Sequence, residues 1–271
     1  MKKLRILPLL VAVWALFAWA SLQLRDAPRL DQQSVLRVRL PIPVQLAYAG
    51  GDPYLAANLN VFRSLMVDAR ISEGETYRVQ GQLQADASFF NPRHEDNYYV
   101  ASAILPWNGQ VEAAQRVLLR AAQSREWDMW PAFFYAFNAM YFERDMARAG
   151  HWAEVAAQRD TSNADSLRAM AAKWYERGDD PQMALNILKA MREQSRDANF
   201  RALLQARMAR LEGLQALRVA AAAYRAEHGA PPSRLEELLG YGGLPALPQD
   251  PLQLGYALSD DGQPVLVDHK R

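Results

Sequence analysis

The residues able to do chemistry are few and scattered. The histidines are His94, His151, His228 and His269. No two of them stand at i, i+4, and no His-Glu-x-x-His is present, so the ligand pair that a helix offers a zinc ion is missing. Cysteine is absent, which excludes disulfides, thiolate-held metals, iron–sulfur clusters and a thiol nucleophile. The chain has no Gly-x-Ser-x-Gly elbow, no Gly-x-x-x-x-Gly-Lys phosphate cradle and no dinucleotide fingerprint. Asp179-Asp180 and Asp260-Asp261 are adjacent pairs. Adjacency points side chains apart, so these read as turn residues and not as an acid–base couple. The expectation is a protein with no catalytic residue, no cofactor and no metal ligand.

What the chain does concentrate is rings. Asp96, Tyr99, Ala103 and Trp107 recur at the spacing of one helical face, and so do Trp130, Phe133, Phe137 and Tyr141. Rings along a groove rimmed with charges are how helical surfaces hold peptides or partner helices. The same spacing also suits rings packed between helices, and the pattern leaves both readings open. Trp107 and Trp130 flank turns, so they are the rings expected to be exposed.

The elements that position these rings are helices. Tyr98, Ala101, Ser102 and Leu105 form one face, Asn108-Gly109 breaks it, and Val111, Ala114, Leu118 and Ala121 form the next. Trp130 to Phe142 and Met146 to Gln158 are a second pair, with Glu143-Arg144-Asp145 in the turn. Asp165 to Glu176 and Met183 to Met191 are a third, turning at Arg177-Gly178-Asp179-Asp180-Pro181. Residues 197–228 carry another long amphipathic helix or pair. Upstream, Asp52-Pro53 reads as an N-cap followed by proline at the first helical position, opening a helix to about Asp68.

This arrangement over residues 60–195 resembles the tetratricopeptide (TPR) repeat. Gly109 and Gly178 are about two 34-residue periods apart. In the register set by Gly109, Tyr98 is the aromatic of the first helix, Ser102 and Ala114 are the small residues where two helices cross, and Ala121 is the small residue of the second. Tyr77, Ala87 and Pro92 fit the preceding unit. The resemblance implies an all-α, TPR-like helical-hairpin solenoid at 51–212, with the first helix of each pair on a concave face that binds a protein partner.

The two ends differ from the body. Lys2, Lys3 and Arg5 precede an uncharged run from Ile6 to Leu24, about the 20 residues that span a bilayer core. Residues 1–24 are therefore expected as a transmembrane anchor, in the membrane from residue 4 to residue 24. The flanking cations would keep the N-terminus cytoplasmic and place the body in the periplasm. Cleavage after Ala18-Trp19-Ala20 is the alternative. Residues 25–50 are expected as an extended linker. The formal charge is +1 over 271 residues. Residues 1–30 carry +4 of it, so the remainder is −3, a balance that argues against nucleic-acid binding.

Residues 213–271 are expected to form a helix and a small cap. Ser233 reads as a cap with Glu236 as its capping-box partner. Gly255 to Leu258 and Pro264 to Val267 read as a hairpin turning at Asp261-Gly262. Tyr224, Gly229, Pro232, Ser233, Leu235, Glu236, Glu237, Leu238, Leu247, Pro248, Asp250, Pro251 and Tyr256 resemble the post-helix region of type II secretion major pseudopilins. That likeness implies a link to envelope assembly: secretion, pili or polysaccharide export. It sits at the opposite end of the chain from a pseudopilin's processing site, so a filament subunit is not expected. The expected function is a non-catalytic inner-membrane adaptor. The alternative is an envelope enzyme acting on glycans, for which Glu143 and Asp145 beside Tyr141 are the carboxylates to consider.

Overall fold

The computed structural model describes residues 6–25, 39–66, 74–178 and 180–267. The described residues are almost all helical. The helices are α1 (Ile6–Arg25), α2 (Ile42–Tyr48), α3 (Pro53–Leu65), α4 (Gly74–Phe90), α5 (Glu95–Ile104), α6 (Val111–Ser124), α7 (Met129–Asn138), α8 (Met146–Arg159), α9 (Ala164–Glu176), α10 (Pro181–Gln194) and α11 (Ala198–His228). A two-stranded antiparallel hairpin follows, with β1 (Tyr256–Leu258) paired to β2 (Pro264–Leu266) and Tyr256 opposite Leu266. The all-α expectation and the hairpin both hold.

Local rules explain the boundaries. Five helices start on an aspartate whose carboxylate accepts a backbone N–H of the first turn: Asp52 from Tyr54, Asp128 from Trp130, Asp145 from Arg148, Asp180 from Met183 and Asp197 from Phe200. Each such cap satisfies one of the orphan donors of a helix start. Pro53 and Pro181 occupy the first turn, where a missing N–H costs nothing. The α5–α6 turn ends on Gly109 at φ +75°, the left-handed residue expected there. The α7–α8 turn uses Arg144 at φ +59° instead. It follows a π-helical turn, Ala139–Glu143.

Three expectations need correction, and one falls outside the described residues. The 25–50 stretch is not all linker: α2 occupies its far end, with Pro43 in the first turn. Asp68, the expected end of α3, lies outside the described residues. The boundary at 212/213 cuts through α11, which is one helix of 31 residues. Ser233 caps nothing through its hydroxyl; its backbone N–H donates to Glu237, not Glu236 (2.9 Å).

Neighbouring helices pack in sequence order, with α4 also against α6 and α9 also against α11. The α7–α8–α9 interfaces are lined by alanine: Ala132, Ala136, Ala149, Ala153, Ala156, Ala171 and Ala172 are buried. Small side chains let helix axes approach closely. At Gly150 a methyl group would stand 2.6 Å from the Tyr175 ring. The cap is clipped to α11 by Arg210, whose guanidinium bonds Asp250 (2.9 Å), Glu176 (3.2 Å) and the Gly255 and Val267 carbonyls. Glu176 is also paired with Arg207. Asp250 accepts backbone N–H groups of Leu252, Leu254 and Gly255 as well. The Tyr256 hydroxyl donates to the Arg210 carbonyl (3.1 Å). Burial, with Asp250 nearby, pushes its phenol up to about 12.

In α1, side chains are described for residues 11–22, and Trp14, Phe17, Trp19 and Leu22 are exposed. Among the described residues, no helix is long and apolar enough to cross a membrane. Residues 1–5, the cationic flank of the expected anchor, lie outside the described residues.

Candidate protein-binding surface

α5 and α7, with the turns that follow them, gather the six expected rings into two neighbouring groups. Trp130 stacks on Phe134 (5.6 Å) and meets Phe133 edge-on (6.0 Å). Phe134 in turn meets Tyr99 (5.8 Å). One to two turns further along, Phe137 stacks on Tyr141 (5.6 Å) and Tyr141 contacts Trp107 (5.4 Å). Trp107 and Phe142 close this second group edge-to-face at 5.0 Å. The π-helical turn carries both Tyr141 and Phe142, and it is this widened turn that carries two consecutive rings within reach of Trp107.

Exposure divides the set. Trp107 is 56% exposed, Tyr141 45%, Trp130 43% and Tyr99 36%. These four offer ring area to a partner. Phe133 and Phe137 are half-buried, and Phe133 packs on the cluster of Ala122, Ala132, Ala156 and Leu167. Phe133 is therefore mainly core. Phe134 and Phe142 complete the two groups and were not among the expected residues. Phe134 stands at i+4 from Trp130, which was the available signal; Phe142 has none, because only a π-turn puts it beside Trp107.

The first group is held from below by ions. Tyr98, buried between α5 and α6, donates its hydroxyl to Asp128 (2.7 Å), which also caps α7 and takes Arg125 Nε (2.9 Å). Burial, with hydrogen bonds to Tyr99 and Asp128, raises the Tyr98 phenol far above its ordinary range. Asp128 thus fixes the start of α7 against α5, and with it the Tyr99–Phe134–Trp130 group.

The two carboxylates expected for glycan chemistry share one partner. Glu143 and Asp145 both pair with Arg148, at 3.0 and 2.7 Å. The Arg148 backbone N–H, then its guanidinium, hold Asp145 below the usual carboxylate range. A different acid has the perturbed environment. Glu154 on α8 lines a cavity of about 550 Å³ with Asp165, Arg168, Met191 and Phe200. Burial raises its carboxyl, Arg168 lowering it only in part. Its buried Oε1 has no hydrogen-bond partner. Asp165 pairs with Arg168 (3.4 Å) and Asp197 caps α11, so no second unengaged carboxylate lines that cavity. Among the described residues no group of three His, Asp or Glu could hold a metal ion.

No protein-family model matches the chain, and neither does any curated protein or solved structure.

Proposed function

We propose that this chain is a membrane-anchored adaptor whose helical-hairpin stack, a solenoid of the TPR type, binds another protein of the cell envelope along the α5/α7 aromatic stripe. The observation that carries the reading is that Tyr99 and Trp130 in one ring group, and Trp107 and Tyr141 in a second, remain exposed. Exposed clusters of large rings are unusual on monomeric proteins and are the residue types that dominate binding energy. The order in which helices pack supports the solenoid. The apolar run at 6–24 behind Lys2, Lys3 and Arg5 supports an inner-membrane anchor with the body in the periplasm. The pseudopilin-like tail supports a place in secretion, pilus or polysaccharide-export machinery.

The test is site-specific. A photo-crosslinking residue at position 107, and another at the exposed control position 219 on α11, should give a discrete protein adduct from the first and none from the second. Trp107→Ala with Trp130→Ala should abolish that partner's co-purification while helical content and melting stay within a few degrees. Unfolding of the double variant would make the rings core and overturn the reading. Fractionation should leave the full-length chain in the inner membrane; a shortened soluble form would remove the anchor.

A second reading, an envelope enzyme acting on glycans, rests on Glu154 alone. Its carboxyl is suited to a general acid, but the cavity supplies no unengaged partner carboxylate. Glu154→Gln abolishing a glycan-cleaving activity would establish it.

A further inference from the structure

α4 and α6 enclose a cleft of about 470 Å³ that shares no residue with the aromatic stripe. Four arginines line it, Arg39, Arg78, Arg116 and Arg120, against Asp86 and Glu112. Among the described lining residues arginines outnumber carboxylates, although Arg78 is already engaged; the body as a whole carries −3. Charge of one sign focused in a cleft, on a body of the other sign, selects its ligand by field.

The arginines are not equally engaged. Arg120 is held on neutral partners only: its Nη1 donates to the Ala85 carbonyl (3.0 Å) and the Ser88 hydroxyl (3.1 Å), and its guanidinium lies over Phe89 (5.9 Å). Among the described residues it forms no ion pair. Arg39 donates Nε and Nη2 to Asp86 (3.1 and 2.8 Å), which leaves Nη1, and the side chain is half exposed. Arg116 pairs with Glu112 one turn earlier, but that glutamate is 91% exposed, and water screens such a pair.

Two further features of the cleft bear on its ligand. The start of α6 faces it, and α6 lacks the side-chain cap that aspartate gives five other helices. Its first N–H groups and positive dipole end favour an anion. The floor is made of Gly81, Ala85 and Ala113, so close that a methyl group at Gly81 would stand 3.0 Å from Ala113 Cβ. That contact packs α4 against α6 and closes the cleft from behind. Gln82 and Gln110, on the walls, make no side-chain hydrogen bond among the described residues. Each presents one donor group and one acceptor, the pair a peptide unit needs.

We propose that the α4/α6 cleft binds an acidic peptide segment of a protein partner, its carboxylates against Arg116, Arg120 and the start of α6. The site is separate from the stripe, so the two readings fail separately.

Titration of the full-length chain in neutral detergent with a labelled hexaglutamate peptide tests it. Hexaglutamate should bind, hexaglutamine should not, and the affinity should fall as salt rises. Arg116→Glu, on the exposed side of α6, should weaken hexaglutamate about tenfold, with Arg116→Gln weakening it less and guarding against a misfolded reversal. The Trp107→Ala, Trp130→Ala double variant should bind it unchanged. Equal binding of the two peptides, or no change on Arg116→Glu, would overturn the proposal. So would displacement of hexaglutamate by inorganic phosphate at equal charge, which would make this a simple anion site.

Discussion

Two regions of the helical stack bury different kinds of surface. Around α2, α3 and α4 the interior is polar. Asp86 takes Arg39 and Gln45, Gln45 takes Asn60 (2.6 Å), and Gln80 donates to the Ser64 carbonyl (2.9 Å). Around α7, α8 and α9 the interior is alanine, closed by Trp152 and Tyr175. Alanine fixes the distance between helices and little else. A chain of hydrogen bonds fixes which groups must meet, and it penalises any misalignment by leaving buried groups unpaired. The polar region is therefore specified by partners and the alanine region by volume.

Substitutions can break that contrast. Asp86→Ala should be the most damaging, because it removes the acceptor of both Arg39 hydrogen bonds and one of the two acceptors of the Gln45 amide group at once; a loss of about 3 kcal/mol is expected in urea unfolding. Gly150→Leu should cost about 1–3 kcal/mol, since it forces the Tyr175 ring aside in a filled interface. If Gly150→Leu proved the costlier of the two, partner chemistry would not be what holds the polar region. Glu154→Gln sharpens the alanine side. Its carboxyl is raised in the folded chain, so the neutral form is the one the fold favours. The fold is then most stable below the ordinary value of 4.5 and loses that advantage as pH rises through the raised value. The glutamine variant should gain stability at neutral pH, and the gain should vanish in acid. The smallest effect is expected at Gln84, which is fully buried with neither amide atom partnered. Gln84→Met should be neutral or slightly stabilising; a clear loss would reveal a hydrogen bond that matters.

The same contrast governs what could be read from the chain. Alternation of large and small apolar residues made α5 to α11 legible, with Gly109 and Pro53 marking boundaries. The polar interior escaped, because Gln45, Asn60, Gln80 and Gln84 look like surface residues to any hydrophobic pattern. α2 escaped because Pro41 and Pro43 read as breakers, although proline suits a helix start. Of the six rings chosen, Tyr99, Trp107, Trp130 and Tyr141 are exposed together and Phe133 is largely core, a division that depends on neighbours distant in sequence. The Arg210 clip has no local signature: Glu176 and Asp250 lie 34 and 40 residues from it.

That clip has a consequence in time. Arg210 is buried, yet its partners are delivered late, Asp250 and Gly255 and finally Val267. As the chain emerges in order, α9 and α11 meet first and present an arginine with one carboxylate pair, Glu176, and its remaining N–H groups unserved. Only the last hairpin strand completes the set. A chain cut before Val267 should therefore leave a buried guanidinium N–H without its acceptor, and should unfold more readily than the full chain.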